Sequence, residues 1–229
     1  MQIVQIVPKA VRNALRPTYY RWLRYWTIRH PTPIEEIHRY WKNPDSDNDP
    51  HEYAMQHQAR SKFLVKLLRR YVPLEGSVLE IGCNTGRNLN AALQAGYRNL
   101  KGIEINSEAA ELMKKYFPDL ARVADIRVGP IEQLVRSVEN VECVFTMAVL
   151  VHIHPSGDWV FPELAKRAAT VITVELETGV GARWFPRNYK EVFEGAGMRQ
   201  VEEIDCGKVP EVVEELANCT VRVFQHKLT

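Results

Sequence analysis

From residue 77 onward, short β-branched runs alternate with amphipathic helical patterns, and no other feature restricts the fold as strongly. The strand-like runs are SVLEI (77–81), LKGIE (100–104), RVADIRV (122–128), VECVFTMAV (141–149) and TVITVEL (170–176). Between them lie helical patterns at RNLNAALQAG (87–96), SEAAELMKKYF (107–117) and WVFPELAKRAA (159–169). Parallel strands need long crossovers, so this alternation predicts an α/β fold with a doubly wound, mostly parallel sheet. The chain then changes habit. A helix at 187–197 is followed by strands at 198–205 and 219–227 with no crossover helix of comparable strength, which predicts an antiparallel finish. Gly96 and Ser107 are the expected helix stop and cap, and Pro162 marks either a bend or a shifted helix start.

The N-terminal third is organised differently. Residues 1–34 hold Lys9, Arg12, Arg16, Arg21, Arg24 and Arg29 without one acid, so the rest carries −4 against a total of +2. That body offers no basic field for nucleic acid. Tyr19, Tyr20, Trp22, Tyr25 and Trp26 interleave with the leader's arginines. The mixture suits either an anionic membrane surface or a docked helix. The division expected is a leader (1–34), a helical lid (35–75) and a catalytic domain (76–229). Asp45, Asp47 and Asp49 mimic the start of a calcium loop, but Pro50 and Gln56 stand where Gly and Glu belong, so no metal is expected. Asp49 and Pro50 instead cap one helix running to Phe63, Leu64, Leu67, Leu68 and Tyr71. No apolar run is long enough to span a membrane, and no secretion signal is read. The four cysteines show no metal spacing, which points to buried thiols in the reducing cytoplasm, with peripheral membrane contact through the leader.

The turn after the first strand, GCNTG (82–86), places conformationally free residues at a strand mouth, where such sheets bind ligands. A dinucleotide fingerprint fails at Asn84 and Arg87, and a phosphate loop lacks its Gly-Lys-Ser/Thr. Glu80 and Glu104 close the first two strands. One carboxylate suits ribose hydroxyls and the other a cationic amine, a pair that fits S-adenosylmethionine (SAM).

VLEIGCNTG, GIEIN and VECVFTMAVLVHI together resemble the class I SAM-dependent methyltransferases, over about Glu52 to Thr229. FTMAVLVHIHP is also similar to methylases linked to pseudaminic acid biosynthesis, with FPRNYKEVF matching a later loop. The resemblance implies a Rossmann-like seven-stranded sheet with an antiparallel last strand, and SAM as cofactor with S-adenosylhomocysteine (SAH) as product. It implies that Glu80, Gly82, Cys83, Asn84 and Gly86 line the methionine portion, that Glu104 holds the ribose, and that Ile105, Gly129, Pro130 and Ile131 flank the adenine. Thr146, Met147, Ala148 and Val149 would form the floor, and Arg60 would meet the cofactor carboxylate. Asn84 and Glu142 depart from the usual Gly and Asp, and the NPPY-type motif of nucleobase methylases is absent.

His152 and His154 follow the fourth strand, where each suits either a general base or a structural role. Tyr53, His57, Arg187 and Tyr189 are candidate acceptor residues, as are Glu175, Glu177, Arg183 and Trp184 in the loop after the fifth strand. The expected reaction is methyl transfer to oxygen or nitrogen of a polar small molecule, a sugar among them. An inactive methyltransferase-fold partner and a nicotinamide oxidoreductase are the rivals. Oligomeric state is not readable.

Overall fold

All four residues of strand β1 (Val78–Ile81) are buried, and burial on both faces is the mark of a central parallel strand. In the computed structural model, which describes residues 31–44, 49–179 and 181–226, β1 pairs in parallel with β2 (Leu100–Glu104) on one side. Strand β4 (Val141–Met147) pairs with it in parallel on the other. Beyond them lie β3 (Asp125–Val128), then β5 (Ala168–Leu176), β6 (Met198–Asp205) and β7 (Cys219–His226), in the order β3-β2-β1-β4-β5-β7-β6. Only β7 is reversed, inserted between β5 and β6. The Rossmann-like sheet with its antiparallel last strand is as expected.

Helices cover both faces. On one lie α3 (Gln58–Tyr71) and α4 (Arg87–Gln94), with Leu64, Leu68 and Leu89 wholly buried against the sheet. The opposite face carries α8 (Val160–Arg167) and α9 (Tyr189–Gly195), where Phe161, Phe193 and Phe224 stack at 5.0–6.2 Å. The remaining helices are α1 (Ile34–Lys42), α2 (Pro50–Met55), α5 (Ser107–Tyr116), α6 (Pro118–Val123), α7 (Ile131–Leu134) and α10 (Val213–Leu216). Cys83, Cys143, Cys206 and Cys219 are free and buried, as expected. Among the described residues no helix is long and apolar enough to cross a membrane.

Several local expectations change. The single helix from Pro50 to Tyr71 is two, broken at His57, whose φ of 63° is left-handed. The buried guanidinium of Arg87 explains the break, because its Nη1 donates to the carbonyls of Tyr53 and Gln56 (3.2 and 3.1 Å) and satisfies helix-end acceptors. Asp49 does cap α2, accepting from the His51 N–H. For α5 the cap is Asn106, whose Oδ1 takes the N–H groups of Glu108 and Ala109, and not Ser107. Two adjacent good capping residues cannot be ranked by propensity. Residues 122–123 belong to α6, leaving β3 a short edge strand. Pro162 falls in the first turn of α8, close to the helix start, where it lacks no needed donor. The leader's residues 1–30 and the Asp45 and Asp47 positions lie outside the described residues.

Candidate functional site

The strand order turns back on itself between β1 and β4, and a cavity of about 580 Å³ opens there, at the carboxyl ends of the strands. Its floor is the turn 82–85 with the ends of β2 and β4. Backbone shape follows from sequence here. Gly82 has φ +70°, and a Cβ on it would sit 2.5 Å from the Val149 side chain. Asn84 takes φ 49°, the left-handed region that Asn tolerates, and Gly86 takes φ +83°. The turn is closed onto β2 by the Gly82 and Cys83 N–H groups, both donated to the Ile103 carbonyl.

Two buried carboxylates dominate the polarity. Glu104 accepts from the N–H groups of Asn84 (2.7 Å) and Asn106 (2.8 Å), which fixes its plane across the turn. Burial raises its pKa against those hydrogen bonds. Glu80 accepts from Asn88 Nδ2 at 2.8 Å through one oxygen, while its Oε2 is buried with no hydrogen-bond partner. Burial pushes Glu80 up to about 8, opposed by Asn88 and Arg87. Thr85 Oγ1 and Trp41 Nε1, also on the cavity, are likewise buried without partners. Buried polar atoms are rarely left unpaired. The set therefore suits a ligand carrying both donors and acceptors, with a cationic group for Glu80, and disfavours phosphate. A ribose and an α-ammonium fit it.

Residues 78–175 match the family model described as a methyltransferase domain. That stretch is a methyltransferase domain. The chain is similar to the dTDP-3-amino-3,6-dideoxy-alpha-D-glucopyranose N,N-dimethyltransferase of Streptomyces fradiae, with 25% identity over 156 residues. That match covers 63% of this chain and 57% of the relative, so the chain spans a little over half the length of that protein. Two solved structures share the fold. Magnesium protoporphyrin IX methyltransferase from Synechocystis PCC 6803, with bound SAH, has TM-score 0.65 and 13% identity, covering 85% of this chain and 100% of that one. A TehB-like SAM-dependent methyltransferase from Corynebacterium glutamicum ATCC 13032 has TM-score 0.57 and 17% identity, covering 84% and 97%.

In this chain, Glu80, Gly82, Cys83, Asn84, Glu104, Ile105, Gly129, Ile131, Met147, Ala148, Tyr53, Arg60 and His152 all border the cavity. Ala148 is held at φ 56°, an uncommon conformation for a residue with a Cβ. Arg60 is committed to Glu215, through Nε to the carboxylate and Nη2 to the carbonyl, both at 2.9 Å. His57 turns to the same carboxylate and stays off the cavity wall.

Other candidates are placed elsewhere. Gly86 and Pro130 are absent from the wall. So is Thr146, which is buried and donates to Glu175. Tyr189 is wholly buried in the α9 core. Arg187 faces inward too, reaching Asp158 and three carbonyls, so neither forms an acceptor wall. Glu175 is fully buried, and Glu177 pairs with Arg222 on β7. His154 bonds Ser156 and lies edge-on to Phe185, outside the cavity. His152 does border it. Its Nδ1 lies 2.9 Å from the Arg183 carbonyl, which can only accept, so Nδ1 carries the proton and Nε2 keeps the lone pair. Burial lowers this imidazole to about 4, leaving it neutral at physiological pH.

The roof falls in the segment 35–75 expected to be a helical lid, though its cavity-lining residues on the first helix were not among the candidates. Ile37, His38 and Trp41 of α1 overlie the cavity, Trp41 against His152 at 4.4 Å and His38 at 3.4 Å from Glu132. Thr32 donates to the Ala182 carbonyl, and Arg183 stacks on Tyr40 at 3.6 Å. The alternation of Ile37 and Trp41 at i, i+4 was the available signal. Glu215 and Asn218, before β7, also went unremarked. Among the described residues no cluster of three potential metal ligands occurs.

Proposed function

We propose that the cavity binds SAM with its ribose on Glu104 and its α-amino group on Glu80, and passes the methyl group to oxygen or nitrogen of a sugar-like metabolite. The observation that carries the reading is the unpartnered buried oxygen of Glu80, beside a Glu104 carboxylate already oriented by two backbone N–H groups. When bound, the cofactor supplies an electrophilic methyl group on a sulfonium. The chain supplies alignment and exclusion of water, which suffice for a displacement of this kind. The turn 82–85 seats the methionine portion, Ile105 and Ile131 flank the base, and Arg60 with Tyr53 closes the carboxylate end. The acceptor lies under α1, beside the contacting rings of Trp41 and His152.

The sugar reading is supported by the Streptomyces fradiae relative, whose name specifies an amino sugar. Aromatic rings beside a polar rim also suit a sugar ring. Calorimetric titration with SAM and SAH, followed by labelled methyl transfer to a panel of amino and neutral sugar nucleotides, tests both parts. Absence of binding to either cofactor form would overturn the reading.

The two histidines separate in this scheme. His154→Ala is expected to leave turnover unchanged. His152→Ala is expected to lower turnover roughly tenfold or more through loss of a positioned acceptor for a substrate proton, with SAH affinity unchanged. Steady-state rates on the acceptor found in the panel decide it, and a large loss in His154→Ala alone would reverse the assignment.

The leader is proposed to bring the enzyme to an anionic membrane surface, on the strength of its six basic residues and interleaved aromatic rings. Each basic residue near such a surface contributes about 1 kcal/mol, screened by salt. Full-length protein is expected to co-sediment with anionic but not neutral vesicles, less so in high salt. A chain lacking residues 1–29 is expected to stay in solution, and equal behaviour of the two would sink the idea.

A further inference from the structure

The loop after β4 bends at Ala148 (φ 56°) and then carries His152 and Ile153 onto the cavity wall. Two side chains grip it, and neither is on that wall. From one side, Glu175 on β5 accepts from Thr146 Oγ1 (2.8 Å) and from the N–H groups of Val149 (3.0 Å), Leu150 (3.1 Å) and Val151 (3.5 Å). From the other, Arg187 donates to the carbonyls of Leu150 (3.3 Å) and Ile153 (2.8 Å) and is itself anchored on Asp158. The Ala148 N–H, donated to the Val174 carbonyl at 2.9 Å, pins the start of the bend to β5.

We propose that Glu175 and Arg187 are positioning residues, a two-sided clamp that holds the 147–153 loop so that His152 meets the acceptor. This rests on reading the cavity as the methyl-transfer site. Three successive N–H groups form an anion-binding concavity, and here the anion is the protein's own carboxylate. The charge matters because three of its four hydrogen-bond partners are backbone N–H groups, which can only donate. A glutamine would turn an NH₂ toward one of those N–H groups, and a protonated carboxyl would turn its hydroxyl the same way.

Burial pushes Glu175 up to about 7, against the hydrogen bonds that favour its charged form. The titratable groups facing it are Tyr189 from α9 and Cys219 from β7, both raised by burial and uncharged near neutrality. The clamp thus tightens as pH climbs through neutrality, when Glu175 loses its proton.

Amide hydrogen exchange on the full chain with saturating SAH reads this directly, from about pH 5.5 to 8.5 and corrected for intrinsic rates. In the wild type, protection of Val149, Leu150 and Val151 is expected to rise through about pH 7, while β7 amides stay constant. Glu175→Gln is expected to exchange at these amides roughly tenfold faster or more, without the pH step and with β7 unaffected. Glu175→Asp is expected to retain the step at a reduced amplitude. Arg187→Lys should loosen the same amides and keep the step. Wild-type protection in Glu175→Gln, or equal loss in β7, would overturn the clamp. If Glu175→Gln does not fold, the wild-type profile decides alone, and a flat one refutes the proposal. Should SAH fail to bind, the cofactor reading falls separately, since the exchange profile is then measured without it.

Discussion

Replacing Glu104 by Ala is expected to weaken SAM and SAH alike, by roughly ten- to hundredfold, because hydrogen bonds to a charged group are worth about 1.5–3 kcal/mol. The carboxylate already spends one lone pair on each of two N–H groups, those of Asn84 and Asn106, and these hold it flat across the turn. A ribose meeting it therefore finds an oriented acceptor. Glu104→Gln is expected to fall between wild type and Ala, since its amide keeps one acceptor oxygen. The mutation also frees the Asn84 N–H, so circular dichroism must first show a folded protein. Unchanged calorimetric affinity in a folded Glu104→Ala would remove this residue from the cofactor site.

The second large effect is a pH dependence set by Glu80. Burial raises its folded pKa to about 8, well above the ordinary carboxyl value of about 4.3. The groups facing it are Asn88 and Arg87, which favour its charge, and Glu104, which opposes it. An ammonium group binds the ionised form, so below pH 8 binding must release the Glu80 proton. Affinity for SAH is then expected to climb by up to about tenfold per pH unit from pH 6 toward 8. Above that it levels off, because Glu80 is already ionised, and it falls once the ligand's own α-amino group loses its charge. Glu80→Gln is expected to bind weakly and with a flat profile. Proton release, read by calorimetry in buffers of different ionisation enthalpy, checks the linkage independently.

Stability runs the opposite way. A carboxyl whose folded pKa is raised holds its proton more tightly when folded, so Glu80 and Glu175 stabilise the free protein below about pH 4.5. That contribution is lost as pH rises through their folded values of about 8 and about 7. The free enzyme is therefore less stable in the range where it binds best.

Much of the fold could be read from the sequence because burial on both faces leaves a plain signature. LKGIE (100–104) coincides with the buried β2, and MRQVEEID (198–205) coincides with β6, an edge strand set off by its flanking turns. The turn was legible for a related reason, since Gly82, Asn84 and Gly86 mark positive φ. What failed needed three-dimensional neighbours. The break at His57 depends on Arg87, thirty residues away, reaching two carbonyls. Tyr189 and Arg187 looked like acceptor groups because they are polar and follow β5, but polarity does not reveal that both point inward. The same holds for His154 against His152, two residues apart and alike in chemistry, of which only one reaches the cavity.

The reversed strand β7 also governs how the molecule comes together in time. It sits between β5 and β6, and Thr170 pairs with Gln225 across 55 residues of chain. Closing so long a loop comes before any reward from the contacts, and non-local pairing of this kind slows folding. Leu216 and Cys219, which border the cavity, lie immediately before and at the start of that strand. The cavity is thus complete only after this non-local pairing has formed. A ligand that binds it recognises finished molecules alone, and so stabilises the folded chain against unfolding by an amount that grows with its concentration relative to Kd.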